Sequence, residues 1–110
     1  MTFLIMEKEF DPPLSAEAHD AEARQLDPCL DAHGVRWIRS YISTDRRRMI
    51  CEFEAADAEA VRNSFRSAGV AFVRVWAAEP YFPGGGPHGG WREREAARQE
   101  APPAAKVRGC

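Results

Sequence analysis

The chain has 110 residues, 45% of them apolar, and a formal net charge of −2 with acids and bases interspersed. This length fits one domain, and the apolar share excludes a wholly disordered chain. The mixed charge argues against a nucleic-acid binder, which carries a clustered basic stripe. The only basic run, Arg46-Arg47-Arg48, falls where a solvated turn belongs.

Residues 2–9 are rich in β-formers and stop at Asp11-Pro12-Pro13, which marks a first strand. Acidic residues follow this segment rather than a small-residue cleavage site, so it is not read as a signal peptide. No apolar stretch approaches the ~20 residues of a bilayer span, and the cytoplasm is the expected compartment. Ser15 is a good N-cap for a helix over 16–32, whose Leu26, Cys29, Leu30 and His33 form one stripe. Pro28 lies inside that pattern and is expected to kink the helix or split off its last turn, with Gly34 as the C-terminal cap.

Residues 35–43 alternate as a second strand, 44–47 turn, and 48–54 return as a third strand in a hairpin. Asp57 caps a second helix with Ala58, Val61, Phe65 and Ala68 on its buried stripe, ended by Gly69. Residues 72–78 supply a fourth strand. The order is β-α-β-β-α-β, so an α+β, ferredoxin-like domain with a four-stranded antiparallel sheet is expected over 1–83. From Gly84 onward the glycines, Ala101-Pro102-Pro103 and the charges read as a flexible polar tail over 84–110, with Trp91 the one residue able to dock.

The two faces of the expected sheet are unequal. Alternation puts Ile38 and Ile42 on one side of the second strand and Trp37, Arg39 and Tyr41 on the other. In the fourth strand Val73, Val75 and Ala77 oppose Phe72, Arg74 and Trp76; in the third, Ile50, Glu52 and Glu54 oppose Met49, Cys51 and Phe53. A face mixing large aromatics with Arg and Glu is unusual for plain solvent exposure. It fits either the partner sheet of a homodimer or a small-molecule pocket lined by Trp37, Arg39, Tyr41, Glu52, Arg74 and Trp76. In the pocket reading Arg39 or Arg74 holds an anionic group and an aromatic stacks on a planar substrate.

The three cysteines, Cys29, Cys51 and Cys110, are odd in number and widely spaced, and make neither a disulfide framework nor a C-x-x-C knuckle. Cys29 and His33 stand one helical turn apart, so both can reach one metal ion, with His19 on roughly the same side. Catalysis has no phosphate loop, nucleophile elbow or H-E-x-x-H. Glu7 and Glu52 become a general acid–base pair if their strands are neighbours.

The pieces Gly34-Val35-Arg36-Trp37-Ile38-Arg39-Ser40-Tyr41, Met49-Ile50-Cys51-Glu52-Phe53-Glu54-Ala55, Asp57-Ala58-Glu59-Ala60-Val61-Arg62 and Ala68-Gly69 resemble a known family. It is a family of small bacterial nickel-binding ferredoxin-like domains, and the resemblance covers most of residues 2–78. It implies a homodimer of the dimeric α/β-barrel type and, in one branch, nickel. Cys51 matches the family's cysteine. Ser64 stands where a histidine is common, Glu52 replaces a usually apolar or aromatic residue, and Ala56 replaces a proline.

The first expectation is therefore a homodimeric binding protein for nickel, another divalent transition metal or a small molecule. Its candidate metal donors are Cys51, His33 and Cys29, with Glu52 as an oxygen ligand; thiolate plus imidazole suits nickel, copper or zinc. The alternative is a dimeric α/β-barrel enzyme, a cyclase, isomerase or cofactor-free monooxygenase acting on an aromatic or polyketide-like molecule. There Glu52 or His33 is the proton-transfer group, and Trp37, Arg39, Tyr41 and Trp76 orient the substrate.

Overall fold

The computed structural model describes residues 1–85 and 110. The strands are β1 (Thr2–Glu9), β2 (Arg36–Ile42), β3 (Arg48–Ala55) and β4 (Arg74–Ala78), and the helices are α1 (Ala16–Ala32) and α2 (Ala58–Ala68). All pairings are antiparallel and the sheet order is β2-β3-β1-β4. The fold is thus the expected βαββαβ arrangement, with the two non-consecutive strands β1 and β3 at the centre.

Local chemistry explains where the elements start and stop. The Ser15 hydroxyl accepts from the Ala18 N–H at 3.1 Å, and the Asp57 carboxylate accepts from Ala60 at 2.9 Å, so each helix begins on a side-chain cap. Gly34 (φ 66°) and Gly69 (φ 71°) take the left-handed turn that closes each helix, a conformation that favours glycine. α1 does not split at Pro28. It continues to Ala32, with the proline ring exposed, so the backbone position that lacks an N–H lies on the wet side of the helix.

Register assigns the faces. Leu4 opposite Phe53 and Met6 opposite Cys51 share the side covered by both helices, and all four are buried. Phe53 sits at the centre of a ring cluster with Trp37 at 6.0 Å and Phe65 of α2 at 5.8 Å. The opposite side of the sheet carries Ile5 opposite Glu52 and Trp76, and among the described residues no helix covers it.

One expectation about the faces is corrected. The β2–β3 register shifts between Trp37 and Arg39, so Ile38 is the extra residue of a bulge. Trp37 therefore pairs with Phe53 on the helix side, while Arg39 and Tyr41 pair with Glu52 and Ile50 on the open side. Simple alternation had put all three together.

The cysteines give a second correction. Cys29 and Cys110 form a disulfide, across 81 residues of sequence, and Cys51 is the free, buried thiol. The expectations for Trp91 and for residues 86–109 lie outside the described residues.

Candidate functional site

The helix side of the sheet holds a polar cluster inside the apolar core. Lys8 follows Leu4 and Met6 in the inward parity of β1 and is only 7% exposed. Its ammonium forms an ion pair with Glu22 of α1, and lies 5.3 Å from the Phe10 ring and 5.8 Å from the Phe65 ring. An ammonium taken out of water needs such a partner, so the pair is a requirement of placing Lys8 there.

Beside it, the Trp37 indole N–H donates to the Ser40 hydroxyl at 2.8 Å, and that hydroxyl donates to the Cys51 sulfur at 2.9 Å. Burial pushes the Cys51 thiol above its ordinary pKa, while the Ser40 hydrogen bond and the Lys8 charge pull the other way. Lys8, His19, Glu22, Trp37 and Cys51 line one small space of about 10 Å³, the size of a single water molecule. A surface cleft of about 290 Å³ between the start of α1 and the β2–β3 hairpin shares His19 with that space and adds Ser15, Asp20, Ser40 and Arg46.

The open side carries a ladder of cross-strand ion pairs. Arg39 meets Glu52 at 2.5 Å, Arg36 meets Glu54, and Arg74 approaches Glu7 at 3.8 Å. Glu7 also accepts from the Trp76 indole N–H at 2.9 Å. Glu52 holds the Arg39 guanidinium above its ordinary pKa, first through the hydrogen bond and then through its charge. Between these pairs stand Tyr41 (54% exposed), Trp76 (46%) and Ile50 (43%), apolar surface that the described residues leave exposed.

The residues singled out from the sequence therefore separate into three places. Arg39, Tyr41, Glu52, Arg74 and Trp76 are together on the open side. Cys51 and Trp37 are together on the helix side. Cys29 and His33 lie at the end of α1, where the His33 ring Nε2 is 2.9 Å from the Cys110 carbonyl oxygen. Glu52 and His33 are thus on opposite sides of the sheet and share no site. Glu7 and Glu52 do lie on neighbouring strands, yet each is engaged by its own arginine rather than by the other.

Lys8, Glu22 and Ser40 were not among the sequence candidates, and His19, expected on the side of Cys29 and His33, stands beside Trp37, with 6.2 Å between ring centroids. The signal for Lys8 was present: it has the same parity as Leu4 and Met6. The convergence of Glu22, Ser40 and Cys51 depends on how α1 crosses the sheet, and no local pattern carries that.

A small α+β domain whose two described helices cover one sheet face and leave the other open is the class these features define. The family model described as "Nickel responsive protein SCO4226-like" matches residues 4–77, and the chain belongs to this family. Among solved structures it is similar to the crystal structure of SCO4226 from Streptomyces coelicolor A3(2). The TM-score is 0.65 at 11% identity, covering 73% of this chain and 99% of that one, a likeness of fold alone. No curated protein matches the sequence.

The family's description names nickel, so the donor chemistry of this chain can be set against that ion. Among the described residues no three His, Cys, Asp or Glu side chains are grouped to hold a metal. Cys29 offers no thiolate while it is bonded to Cys110, Ser64 is a buried hydroxyl that donates to the Ala60 carbonyl, and Lys8 puts a positive charge beside Cys51 and Glu22. A soft divalent cation needs converging, deprotonated donors. The described residues of one copy do not fit it.

Proposed function

We propose that this chain is a homodimeric binding module in which the open sheet face of one copy covers that of another. The observation that carries this reading is the composition of that face. Its charges already neutralise one another in pairs, and Tyr41, Ile50 and Trp76 remain as uncovered apolar surface. A face built this way loses little electrostatic energy when water is removed and gains from burying the aromatic and aliphatic groups.

In this reading the nickel response named by the family belongs to the pair of copies, because the described donors of one copy do not converge. The enzyme reading is not carried further, since Glu52 is held by Arg39 and His33 lies across the sheet from it.

The test is the double variant Ile50→Glu with Trp76→Glu, studied by light scattering coupled to size exclusion. The wild type is expected to elute as a dimer, and the variant as a folded monomer with unchanged far-ultraviolet circular dichroism. Equilibrium dialysis against nickel chloride then separates the two halves of the reading, because binding by the wild type should vanish in the monomeric variant. A wild type that remains monomeric at high micromolar concentration overturns the proposal.

A further inference from the structure

The Cys29–Cys110 bond belongs to neither face of the sheet. Cys29 lies in α1 and is 3% exposed, with its side chain part of the core. Cys110 is partly buried and packs against that core from outside the segment the family model matches, residues 4–77. The two residues therefore differ in exposure, Cys29 enclosed and Cys110 half-buried, which makes Cys110 the partner that a thiol from solution reaches first.

We propose that Cys29 and Cys110 form a reversible thiol–disulfide site, opened by a small-molecule thiol that attacks the Cys110 sulfur, and that its state decides whether Cys110 is docked on α1. Access selects the sulfur attacked, and an accessible disulfide is the labile kind. The core does not depend on the bond, because Leu4, Met6, Phe53, Val61 and Phe65 are fully enclosed by the sheet and helices. Opening the site leaves that core assembled.

The electron balance is that of thiol–disulfide exchange. The incoming thiolate forms a new S–S bond to Cys110 as the Cys29–Cys110 bond breaks, and the electron pair leaves on Cys29, which takes a proton in its buried site. A second thiolate then attacks the mixed disulfide, releasing Cys110 as a thiol and the small molecule as its own disulfide. Two thiols are oxidised, one protein disulfide is reduced, and the small-molecule disulfide runs the sequence backwards. Docking has a reporter in His33, whose ring Nε2 meets the Cys110 carbonyl oxygen only while Cys110 is held there. Cys51, buried and free, serves as the internal control.

The experiment uses the full chain purified without reductant and glutathione as the probe. Alkylation after denaturation is expected to label only Cys51, and peptide mapping should recover the Cys29–Cys110 crosslink. Native incubation with reduced glutathione should then yield a mixed disulfide at Cys110 and none at Cys29. It should also shift the His33 ring resonances to the positions seen in Cys110→Ser, with circular dichroism unchanged. Oxidised glutathione should restore the starting spectrum. Three alkylated cysteines in the unreduced protein, a mixed disulfide on Cys29, or a bond that yields only on unfolding each overturns the proposal. The Cys29→Ser variant keeps the test open if Cys110→Ser fails to fold, since it too frees the Cys110 end and should give the same His33 resonances.

Discussion

The two sides of this sheet solve the same problem, holding charge beside apolar surface, in opposite ways. On the helix side a single lysine is buried among rings and satisfied by one glutamate reaching down from α1. On the open side Arg36, Arg39 and Arg74 pair across strands with glutamates, and the apolar groups between them are exposed. The difference teaches where each side's free energy goes. Helix-side contacts are completed within one chain and stabilise the fold, whereas the open side keeps exposed apolar groups that, in the dimer proposed above, a second copy covers.

The largest test of that contrast is Phe53→Ala. Phe53 is fully buried and touches rings from β2 and α2, so its removal leaves a cavity and should cost about 3–5 kcal/mol in urea denaturation. A loss below about 1 kcal/mol would mean that the helix side is loosely packed and the contrast is false.

The Lys8–Glu22 pair gives a directional test of intermediate size. Glu22→Gln leaves an ammonium in the core without its counter-charge, and should cost about 2–3 kcal/mol, less than for a fully enclosed pair because Glu22 is partly exposed. Lys8→Met replaces the ammonium by an apolar chain of similar length and should be near neutral or stabilising. Equal losses from both variants, read from the same denaturation curves, would remove the claim that Lys8 is an enclosed charge dependent on Glu22.

Most of the fold was legible because its punctuation is local. Ser15, Asp57, Gly34 and Gly69 mark helix ends through hydrogen-bonding and backbone properties that hold in any context. Face assignment was legible for β3 and for residues 74–77 of β4, where alternation survives. β4 starts only at Arg74, and Phe72, expected beside Arg74 and Trp76, instead packs on Phe65 of α2 at 5.8 Å while Val73 is exposed. Face assignment failed at Trp37 because a bulge adds one residue without changing composition, and every parity before it then reverses relative to those after it. The candidate site was less legible for a different reason. The pairing of Cys29 with Cys110 spans 81 residues, and the meeting of Ser40 with Cys51 requires the hairpin register. Proline 28 misled in the same way: its local meaning is a break, but an exposed position late in a helix tolerates it.

The smallest effect is expected from Glu52→Gln, and its smallness is informative. The substitution removes the same kind of charge as Glu22→Gln, from a pair whose arginine is largely solvent-exposed. Water replaces the lost partner of Arg39, so the thermal midpoint of a dilute, monomeric sample should stay within error of the wild type. Nor should the raised Arg39 pKa make stability vary with pH in the ordinary range. Glu52 raises the already high pKa of the Arg39 guanidinium, so the contribution from arginine is complete throughout that range and is lost only at strongly alkaline pH. In the proposed dimer the same pair would be covered, and the glutamine variant would leave an unmatched guanidinium in the interface. Dissociation measured by dilution should therefore weaken even though the monomer is unchanged. An equal penalty in monomer and dimer would show that the open side stabilises the single chain as the helix side does, and the distinction between the two faces would fall.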